Sequence, residues 1–476
     1  MTDKAKRSKN LASLALIWSL AWPTMAEQVM QTAVQYIDTA MVGSLGTDAG
    51  AAVGSTTTIG WLIFSTISAF GIGFLSYIAR ACGADDIKSA KRFSAQAVFT
   101  VLVLGTFFTL VTLLLSPFIP VWMRVDKSIQ KTASTYFFIL YTPMLARTAS
   151  SIFGTVLRAA GDTKTPMKVG IIVNIINVAL NFILIYDTRN IEIFGKEIKL
   201  LGGGMGVVGA ALASAIAYFI GGILITYFFL KHKKISPIGE RIRPDMSLLR
   251  PCLRISIPNM LQRFGTSFGY VAFAAMINSI GPVATAAHSF ANTVESAFYI
   301  PGFGMQTAAS TLTGNAYGAR DNEKMKSICT MFIPLEICLM FVSGATLFFS
   351  APYLMDIFSN DPEVINLGAT VLKMVAISEP LYGFSIIVEG MLMGVGKTKL
   401  PFIYNIIGMW GVRIVFTFIC TQIFSLGLIS AWGCMIAHNI LLFFMYLATY
   451  IRGNWNPLKA HASKNSHNLL TNESAL

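Results

Sequence analysis

Long apolar stretches recur along the chain and are separated by short polar segments. A helix that crosses a bilayer needs roughly 20 apolar residues, and hydropathy over such windows predicts twelve spans. They lie at residues 12–44, 50–79, 94–121, 132–158, 165–186, 206–230, 247–279, 284–315, 326–355, 363–393, 400–424 and 427–451. The pattern therefore predicts an all-α integral membrane protein with twelve transmembrane helices and no sizeable soluble domain.

The second half of the sequence repeats the first. A shift of 235 positions pairs Pro23 with Pro258 and Gly161 with Gly396. The same shift pairs Met25 with Met260, Gly46 with Gly281, Thr58 with Thr293, Gly83 with Gly318, Asp86 with Asp321, Thr163 with Thr398 and Pro166 with Pro401. Each repeat holds six spans, an even number, which predicts two six-helix bundles related by a pseudo-two-fold axis along the membrane normal.

This repeat divides the chain into four predicted parts. They are an N-terminal lobe at residues 1–230, a basic cytoplasmic linker at 231–246, a C-terminal lobe at 247–451 and a polar cytoplasmic tail at 452–476. Repeats of this kind are typical of transporters whose binding site lies between two lobes.

Composition and charge place the protein in a membrane. Hydrophobic residues make up 54% of the chain and charged residues 12%, against about 25% charged in soluble domains. Of the 36 Lys and Arg residues, 26 lie in segments on one side of the predicted spans and six on the other. The positive-inside rule then predicts cytoplasmic termini and the cell inner membrane, and it accounts for the net charge of +13 without nucleic acid.

The first span carries a line of polar side chains. Glu27, Gln31, Gln35 and Asp38 follow one another at spacings of four, four and three, which places them on one helix face. An acid at the centre of a span costs about 2.5–3.5 kcal/mol, so such groups usually face a cavity and serve a function. Asp38 is therefore the candidate functional acid. The alternative is an acid that is only held in place by a structural hydrogen bond or salt bridge. Glu27 is a candidate cavity residue that could instead neutralise a nearby base.

The two halves differ at the positions of this polar line. Where the first half has Glu27, Gln31 and Asp38, the second half has Gln262, Thr266 and Phe273. Asp38 thus has no acidic counterpart in the second half, and this predicts that the coupling chemistry belongs to the first lobe. Gln262 and Thr266 remain candidate cavity residues, as do two deep acids, Glu295 and Glu379. Glu295 could meet a cationic substrate or pair with Arg263, and Glu379 could pair with Arg413. We expect each of the four bases within spans (Arg147, Arg263, Lys373 and Arg413) to have a carboxylate or carbonyl partner, the candidates being Glu295, Glu336, Glu379 and Glu389.

The six cysteines and the glycine-rich turns predict no metal or phosphate chemistry. There is no CxxC pair, and no GxxxxGK[ST] motif follows a strand. The turns LRAAGDTKTP (157–166) and LMGVGKTKLP (392–401) are expected to begin helices, with Asp or Thr as caps and Pro in the first turn.

The chain resembles the multidrug and toxic compound extrusion (MATE) family. The resemblance rests on these turns, on the sequence YIDTAMVGSLG at the end of the first span, on the GAALAS segment at 209–214 and on the two six-span halves. The resemblance implies a V-shaped pair of bundles that exports drug-like, often cationic organic compounds in exchange for sodium ions or protons, without a cofactor and as a monomer. It implies that Asp38 is the coupling carboxylate, with sodium as a possible ligand, and that Pro23 is the hinge of the first helix.

The same resemblance implies that Asn177 and Asn181 in the fifth span complete the cation site and that Ser214 contributes a hydroxyl from the sixth. Some members of the family have Asp where this chain has Asn181. Thr266 stands where one sodium-coupled branch has a glutamate in the seventh span.

Two functions other than cation-coupled antiport are open to a membrane protein of this kind. A membrane enzyme would need a loop with convergent His, Cys, Ser or paired carboxylates, and no loop has one. A flippase for a lipid-linked precursor could use a similar scaffold but would need a strongly basic cavity, and the acids within the spans offset the four bases.

Overall fold

The structure, a computed structural model, describes residues 3–123, 125–193, 196–453 and 455–459. It confirms the predicted fold class, a helical membrane protein in which a helical segment lies at each of the twelve predicted spans. The predicted polar tail at 452–476 falls outside the described residues from residue 460 onward.

The helices of the first half follow the hydropathy pattern closely. They are α1 (Asp3–Gly43), α2 (Thr47–Gly83), α3 (Ile87–Leu115), the short α4 (Ile119–Trp122), α5 (Lys127–Tyr141), α6 (Met144–Ala159), α7 (Lys164–Leu184) and α8 (Gly206–Lys231).

The helices of the second half are α9 (Met246–Asn278), α10 (Pro282–Gly318), α11 (Asn322–Phe358), α12 (Pro362–Gly394), α13 (Lys399–Ile406), α14 (Val415–Phe418) and α15 (Leu428–Ile451). Two π-helical segments, Ile407–Ile414 and Ile419–Ile423, continue α13 and α14 and complete the eleventh span.

Among the described residues, eight helical segments are long and apolar enough to cross a membrane, with mean hydropathy between 1.5 and 2.5 in their most apolar windows. The segments at the first, fourth, seventh and eighth spans fall outside that group. In α1 the reason is visible in the sequence, since Glu27, Gln31, Gln35 and Asp38 replace apolar residues.

Two local features differ from the expected regular spans. The fourth span is broken between α5 and α6, where Pro143 precedes the first residue of α6 and has no N–H to continue the hydrogen bonding of α5. The segment between α7 and α8 forms an antiparallel hairpin of β1 (Asp187–Ile193) and β2 (Lys196–Gly203). The hairpin was not predicted, because its strands are short and carry charged residues.

The sequence repeat is visible in the backbone. Residues with positive φ recur at the same shift of 235, as Gly46 (115°) and Gly281 (144°), Asp85 and Arg320 (both 54°), and Gly161 (88°) and Gly396 (71°). Gly161 and Gly396 lie in the two similar turns, where a left-handed conformation would strain a residue with a Cβ. In the first turn the Asp162 carboxylate accepts hydrogen bonds from the amide (3.0 Å) and hydroxyl (2.6 Å) of Thr165, as expected for a cap.

The chain forms two compact units. The first unit comprises residues 27–74 and 87–250, and the second comprises residues 1–26, 75–86 and 251–476. The lobe boundaries at residues 230 and 247 stay a prediction.

Small residues bring helices close together within each unit. In the first unit a Cβ on Gly222 of α8 would lie 2.6 Å from the Cβ of Ala146 on α6, and the rings of Phe153 and Phe229 stack at 4.4 Å between the same helices. In the second unit a Cβ on Gly390 of α12 would lie 2.7 Å from the carbonyl oxygen of Gln306 on α10. Such contacts between small residues are what holds helices together where water cannot drive association.

Candidate functional site

Asp38 lies against α7 within the first unit. Asn181 donates a hydrogen bond from Nδ2 to Oδ1 of Asp38 over 2.6 Å. Asn181 is 1% exposed and Asp38 is half-buried. A carboxylate that accepts a short hydrogen bond from a buried amide is held in one orientation, so α1 presents Asp38 to a fixed polar surface.

Asn177 and Ser214 extend this polar surface. The amide orientation of Asn177 that suits its neighbours donates from Nδ2 to Asp38 at 2.8 Å (Oδ1) and 3.2 Å (Oδ2), and accepts a bond from the Ser214 hydroxyl at 3.0 Å. Oδ1 of Asn181 is buried and has no hydrogen-bond partner among the described residues. The four residues that the family resemblance implied, Asp38, Asn177, Asn181 and Ser214, therefore lie together.

Local sequence explains why these side chains meet. Asn177 and Asn181 are four residues apart and share one face of α7. The small residues of the GAALAS segment allow α8 to approach α7, and a Cβ on Gly209 would collide with the backbone carbonyl of Leu184. The end of α1 is fixed nearby by a 2.9 Å hydrogen bond between the hydroxyls of Ser44 and Tyr186.

The donor chemistry fits a hard cation or a proton. The cluster offers two carboxylate oxygens, amide oxygens and one hydroxyl, and hard cations prefer oxygen ligands. Among the described residues there is no group of three or more His, Cys, Asp or Glu placed to hold a metal ion, so a transition-metal centre finds no support in the described part of the chain.

Glu27 is engaged by a base. Arg158, near the end of α6, donates from Nη1 to both carboxylate oxygens of Glu27, at 3.1 and 3.0 Å, and from Nη2 to Thr155 at 3.1 Å. The side chains of Glu27 and Arg158 are only 13% and 17% exposed. The geometry favours the interpretation in which Glu27 neutralises a base. The sequence did not identify the base, because Arg158 reads as part of a cytoplasmic turn.

The other candidate cavity residues have no hydrogen bond among those found to the cluster of Asp38, Asn177, Asn181 and Ser214. Gln31 and Gln35 are exposed on α1. In the second unit Gln262 is buried and donates to Glu389 over 2.8 Å, and Thr266 donates to the backbone carbonyl of Gln262 over 2.6 Å.

Glu295 and Glu379 are buried in the second unit, at 6% and 2% exposure. Neither forms an ion pair with another residue that the structure describes. The ion pairs found among the described residues are Arg92–Asp245, Arg158–Glu27 and Lys326–Glu323.

Two of the bases within spans lie over aromatic rings, and one of them, Arg413, also interacts electrostatically with the candidate acid Glu295. The guanidinium of Arg147 lies over the rings of Tyr141 (5.0 Å) and Tyr218 (4.4 Å). That of Arg413 lies over Tyr270 (4.9 Å) and Phe273 (4.1 Å). Aromatic faces stabilise these cations through cation–π interactions.

Arg263 has a carbonyl partner, as expected, and it also interacts electrostatically with Glu389, one of the candidate acids. Its Nε donates to Oδ1 of Asn259 over 3.1 Å, and Glu295 is not its ion-pair partner. Asn259 and Arg263 are one helical turn apart on α9, so the hydrogen bond is a local one. Lys373 lies 5.9 Å from the ring of Phe348.

Pro23 is buried inside α1. The next residue, Thr24, donates to the backbone carbonyl of Gly304 on α10 over 2.8 Å, within the second unit. The helix is thus held firmly at Thr24, immediately beside the point where proline interrupts its hydrogen bonding.

The chain matches the family model MatE over residues 23–183 and 258–419. It is 28% identical to "Probable multidrug resistance protein NorM" of Thermotoga maritima, over 92% of each chain. It is 24% identical to "Probable multidrug resistance protein YpnP" of Bacillus subtilis, over 93% of this chain and 96% of the relative.

Solved structures share the fold. One is described as "Outward-facing conformation of a multidrug resistance MATE family transporter of the MOP superfamily"; its TM-score is 0.84 at 22% identity, with 94% of this chain and 96% of that chain covered. A second solved structure is a transporter from Pyrococcus furiosus, described under the words "Reverse polarity of binding pocket suggests different function". Its TM-score is also 0.84, at 23% identity, with 93% of this chain and 96% of that chain covered.

Proposed function

Because the chain belongs to the MatE family of membrane transporters, we propose that it exports small drug-like organic compounds in exchange for a cation bound at Asp38. The protein is a transporter and not an enzyme. The multidrug resistance proteins to which it is similar along more than nine-tenths of its length support drug-like compounds as substrates.

The observation that carries the coupling proposal is the cluster of Asp38 with Asn177, Asn181 and Ser214. The carboxylate accepts amide hydrogen bonds from α7, at 2.6 Å from Asn181. A sodium ion or proton at Asp38 removes the negative charge that these amides stabilise. The interaction between α1 and α7 then weakens or rearranges, and this links cation binding to the position of α1.

A movement of α1 has a defined place to begin. Pro23 cannot donate a backbone hydrogen bond, so α1 can bend at this point at a lower cost than elsewhere. In the proposed cycle a cation enters from outside and neutralises Asp38, α1 bends near Pro23, and substrate leaves from the outward-open state. Loss of the cation inside resets the protein. The cation can drive this change only through its different affinity for the two states.

Substrates of this transporter are proposed to include organic cations. The polar face of α1 presents Gln31 and Gln35 as exposed neutral hydrogen-bonding groups. The protein is further proposed to lie in the bacterial inner membrane with both termini in the cytoplasm, as a monomer.

The test is ethidium efflux from cells and inverted vesicles, with sodium concentration and pH varied independently. Asp38→Asn removes the charge and keeps the shape, so export should fall to the level of cells without the protein while the variant still reaches the membrane. Asp48→Asn, an exposed position in the first turn of α2, is the matched control and should export at the wild-type rate. The gradient that drives wild-type export identifies the coupling ion.

Wild-type export by Asp38→Asn would refute coupling at this carboxylate. If wild-type protein reaches the membrane but moves no ethidium, the substrate class is wrong, and a flippase for a lipid-linked precursor becomes the alternative to test.

A further inference from the structure

Two cysteine thiols meet in the second unit, near the connection between the eleventh and twelfth spans. The sulfurs of Cys420 and Cys434 lie 4.0 Å apart, and neither cysteine is in a disulfide. Cys420 belongs to the π-helical segment Ile419–Ile423, and Cys434 belongs to α15. The two side chains therefore approach one another from different helical segments, although they are only 14 positions apart in the chain.

The backbone at Cys420 is held by hydrogen bonds that a regular α-helix does not make. The amide of Leu426 donates to the carbonyl of Cys420, six residues earlier, over 2.8 Å. Gln422 donates from Nε2 to the hydroxyl of Ser279, beyond the end of α9, over 2.7 Å. Turns of π-helix hold an extra residue and are found frequently at functional sites. Cys420 thus lies in a distorted turn that is fixed from two sides.

Cys434 is held by an ordinary helix. It is buried in the second turn of α15, which begins at Leu428. The hydroxyl of Ser430 donates to the carbonyl of Gly427, just before the first residue of this helix, over 2.7 Å. Each sulfur is therefore carried by a segment with its own hydrogen bonds, and the contact between the sulfurs does not depend on a loose loop.

The separation of the sulfurs suits the formation of a disulfide. An S–S bond is about 2.05 Å long, so the two sulfurs must approach one another by about 2 Å. Rotation about the Cα–Cβ bond of a cysteine moves its sulfur between staggered positions and leaves the backbone in place. The bond can therefore form with a change of side-chain rotamers and only a small adjustment of the two helices.

The surface around Cys420 limits which oxidant can reach the pair. Residues 422–427 form an exposed connection, and Cys420 itself is half-buried. Phe418, Ile423 and Phe424 are exposed apolar side chains beside it. Such a surface favours a small uncharged molecule that dissolves in the membrane, because a charged oxidant would have to lose its hydration to approach.

We propose that Cys420 and Cys434 are a redox modification site, at which a small uncharged two-electron oxidant converts the two thiols into a disulfide between the eleventh and twelfth spans. Both S–H bonds break and one S–S bond forms. The two protons and two electrons pass to the oxidant, so that a quinone becomes a quinol or a diazene becomes a hydrazine. In the proposed orientation the connection lies on the outer side of the membrane, where disulfides persist. The inference goes beyond the proposed function, because it requires neither Asp38 nor a transported compound.

The test is a count of thiols in the full-length protein in lipid vesicles, before and after treatment with diamide, a membrane-permeable diazene. The protein is then denatured, and every remaining thiol is alkylated with N-ethylmaleimide. Mass spectrometry should find two fewer alkylated cysteines after oxidation, together with a peptide in which Cys420 is bonded to Cys434. A thiol reductant added before alkylation should restore the full count of six.

Cys434→Ser removes one partner, so diamide should leave all its remaining thiols free. Cys338→Ser is the matched control, because Cys338 is an exposed cysteine on α11, and this variant should still lose two thiols. Oxidation of glutathione in a parallel sample shows that the diamide is active.

Alkylated Cys420 and Cys434 in the oxidised wild-type protein would overturn the proposal. A disulfide from either residue to another cysteine or to a second copy of the chain would overturn it too. The wild-type peptides decide the question by themselves if Cys434→Ser does not fold. Ethidium export is not measured here, so failure of the drug-export proposal would leave this result unaffected.

Discussion

The ion pair between Glu27 and Arg158 offers a quantitative test of whether Glu27 supports the fold or contacts substrate. Glu27→Gln removes the carboxylate but leaves the Arg158 guanidinium 17% exposed and without its counter-charge. Removing one member of a buried ion pair costs about 3–5 kcal/mol, because the other charge stays buried. We therefore expect Glu27→Gln to lower the free energy of unfolding by several kcal/mol.

The attraction within the pair can be estimated from the distance. Two unit charges 3.0 Å apart attract one another by about 5 kcal/mol at an effective dielectric constant of about 20, before desolvation is subtracted. The double variant Glu27→Gln/Arg158→Leu removes both charges and should recover most of the lost stability. The coupling energy from the four proteins should be about 2 kcal/mol or more.

The assay is equilibrium unfolding in micelles by titration with a denaturing detergent. The pair Glu323–Lys326 is a built-in control at a similar N–O distance of 3.3 Å, with side chains 73% and 50% exposed. Exposed pairs contribute about 0–1 kcal/mol, so its coupling energy should be small. A coupling energy for Glu27–Arg158 no larger than that of the control would refute the reasoning. Recovery of ethidium export in the double variant would support a structural role, and continued loss would assign Glu27 to the substrate.

Three further variants test other parts of the structure. Gly83→Leu places a side chain against the backbone of α10 and should lower the free energy of unfolding by about 1–3 kcal/mol. Gly54→Leu is the control, because Gly54 has open space around it, and its melting temperature should stay close to that of the wild type. Equal melting temperatures for the two variants would contradict the close approach of α2 and α10 at Gly83. Asn181→Ala removes the 2.6 Å hydrogen bond to Asp38 and should change the pH or sodium dependence of export more than its maximal rate; an unchanged dependence would count against the cluster. The hydroxyl and amide of Ser247, at the start of α9, donate hydrogen bonds that lower the pKa of Asp245. The contribution of Asp245 to stability is therefore present above the ordinary value of 3.8 and is lost as pH falls through the lower folded value. Asp245→Ala removes these bonds and should make the linker more sensitive to protease at neutral pH, and equal cleavage of both proteins would refute this.

The helices were predictable because each span must bury its backbone polar groups internally, which leaves a strong apolar signal. The position of Asn177 and Asn181 beside Asp38 was predictable only through the resemblance to a family, since hydropathy does not say which helices touch. The break between α5 and α6 and the hairpin of β1 and β2 depend on a single proline and on short strands, which a hydropathy window averages away.

Partners of buried charges were the least predictable feature. Arg158 looks like a base of a cytoplasmic turn, yet it reaches back to Glu27 on another helix. Arg147 and Arg413 were expected to have carboxylate or carbonyl partners, because a sequence displays charge complementarity but not which aromatic rings lie nearby. Their aromatic partners come from helix packing, and the depth of Glu336 depends on glycines of two neighbouring helices.

The division of α1 and α2 between the two compact units has a consequence for how the chain can be cut and recombined. Residues 1–26 and 75–86 belong to the second unit, where Thr24 and Ser76 donate to the carbonyls of Gly304 and Gly394. A cut in the 231–246 linker would therefore release two fragments, of which the C-terminal one lacks part of its own compact unit. Fragments produced separately should complement each other only when present together, and a chimaera that exchanges whole halves between relatives must keep these two segments matched to the second half.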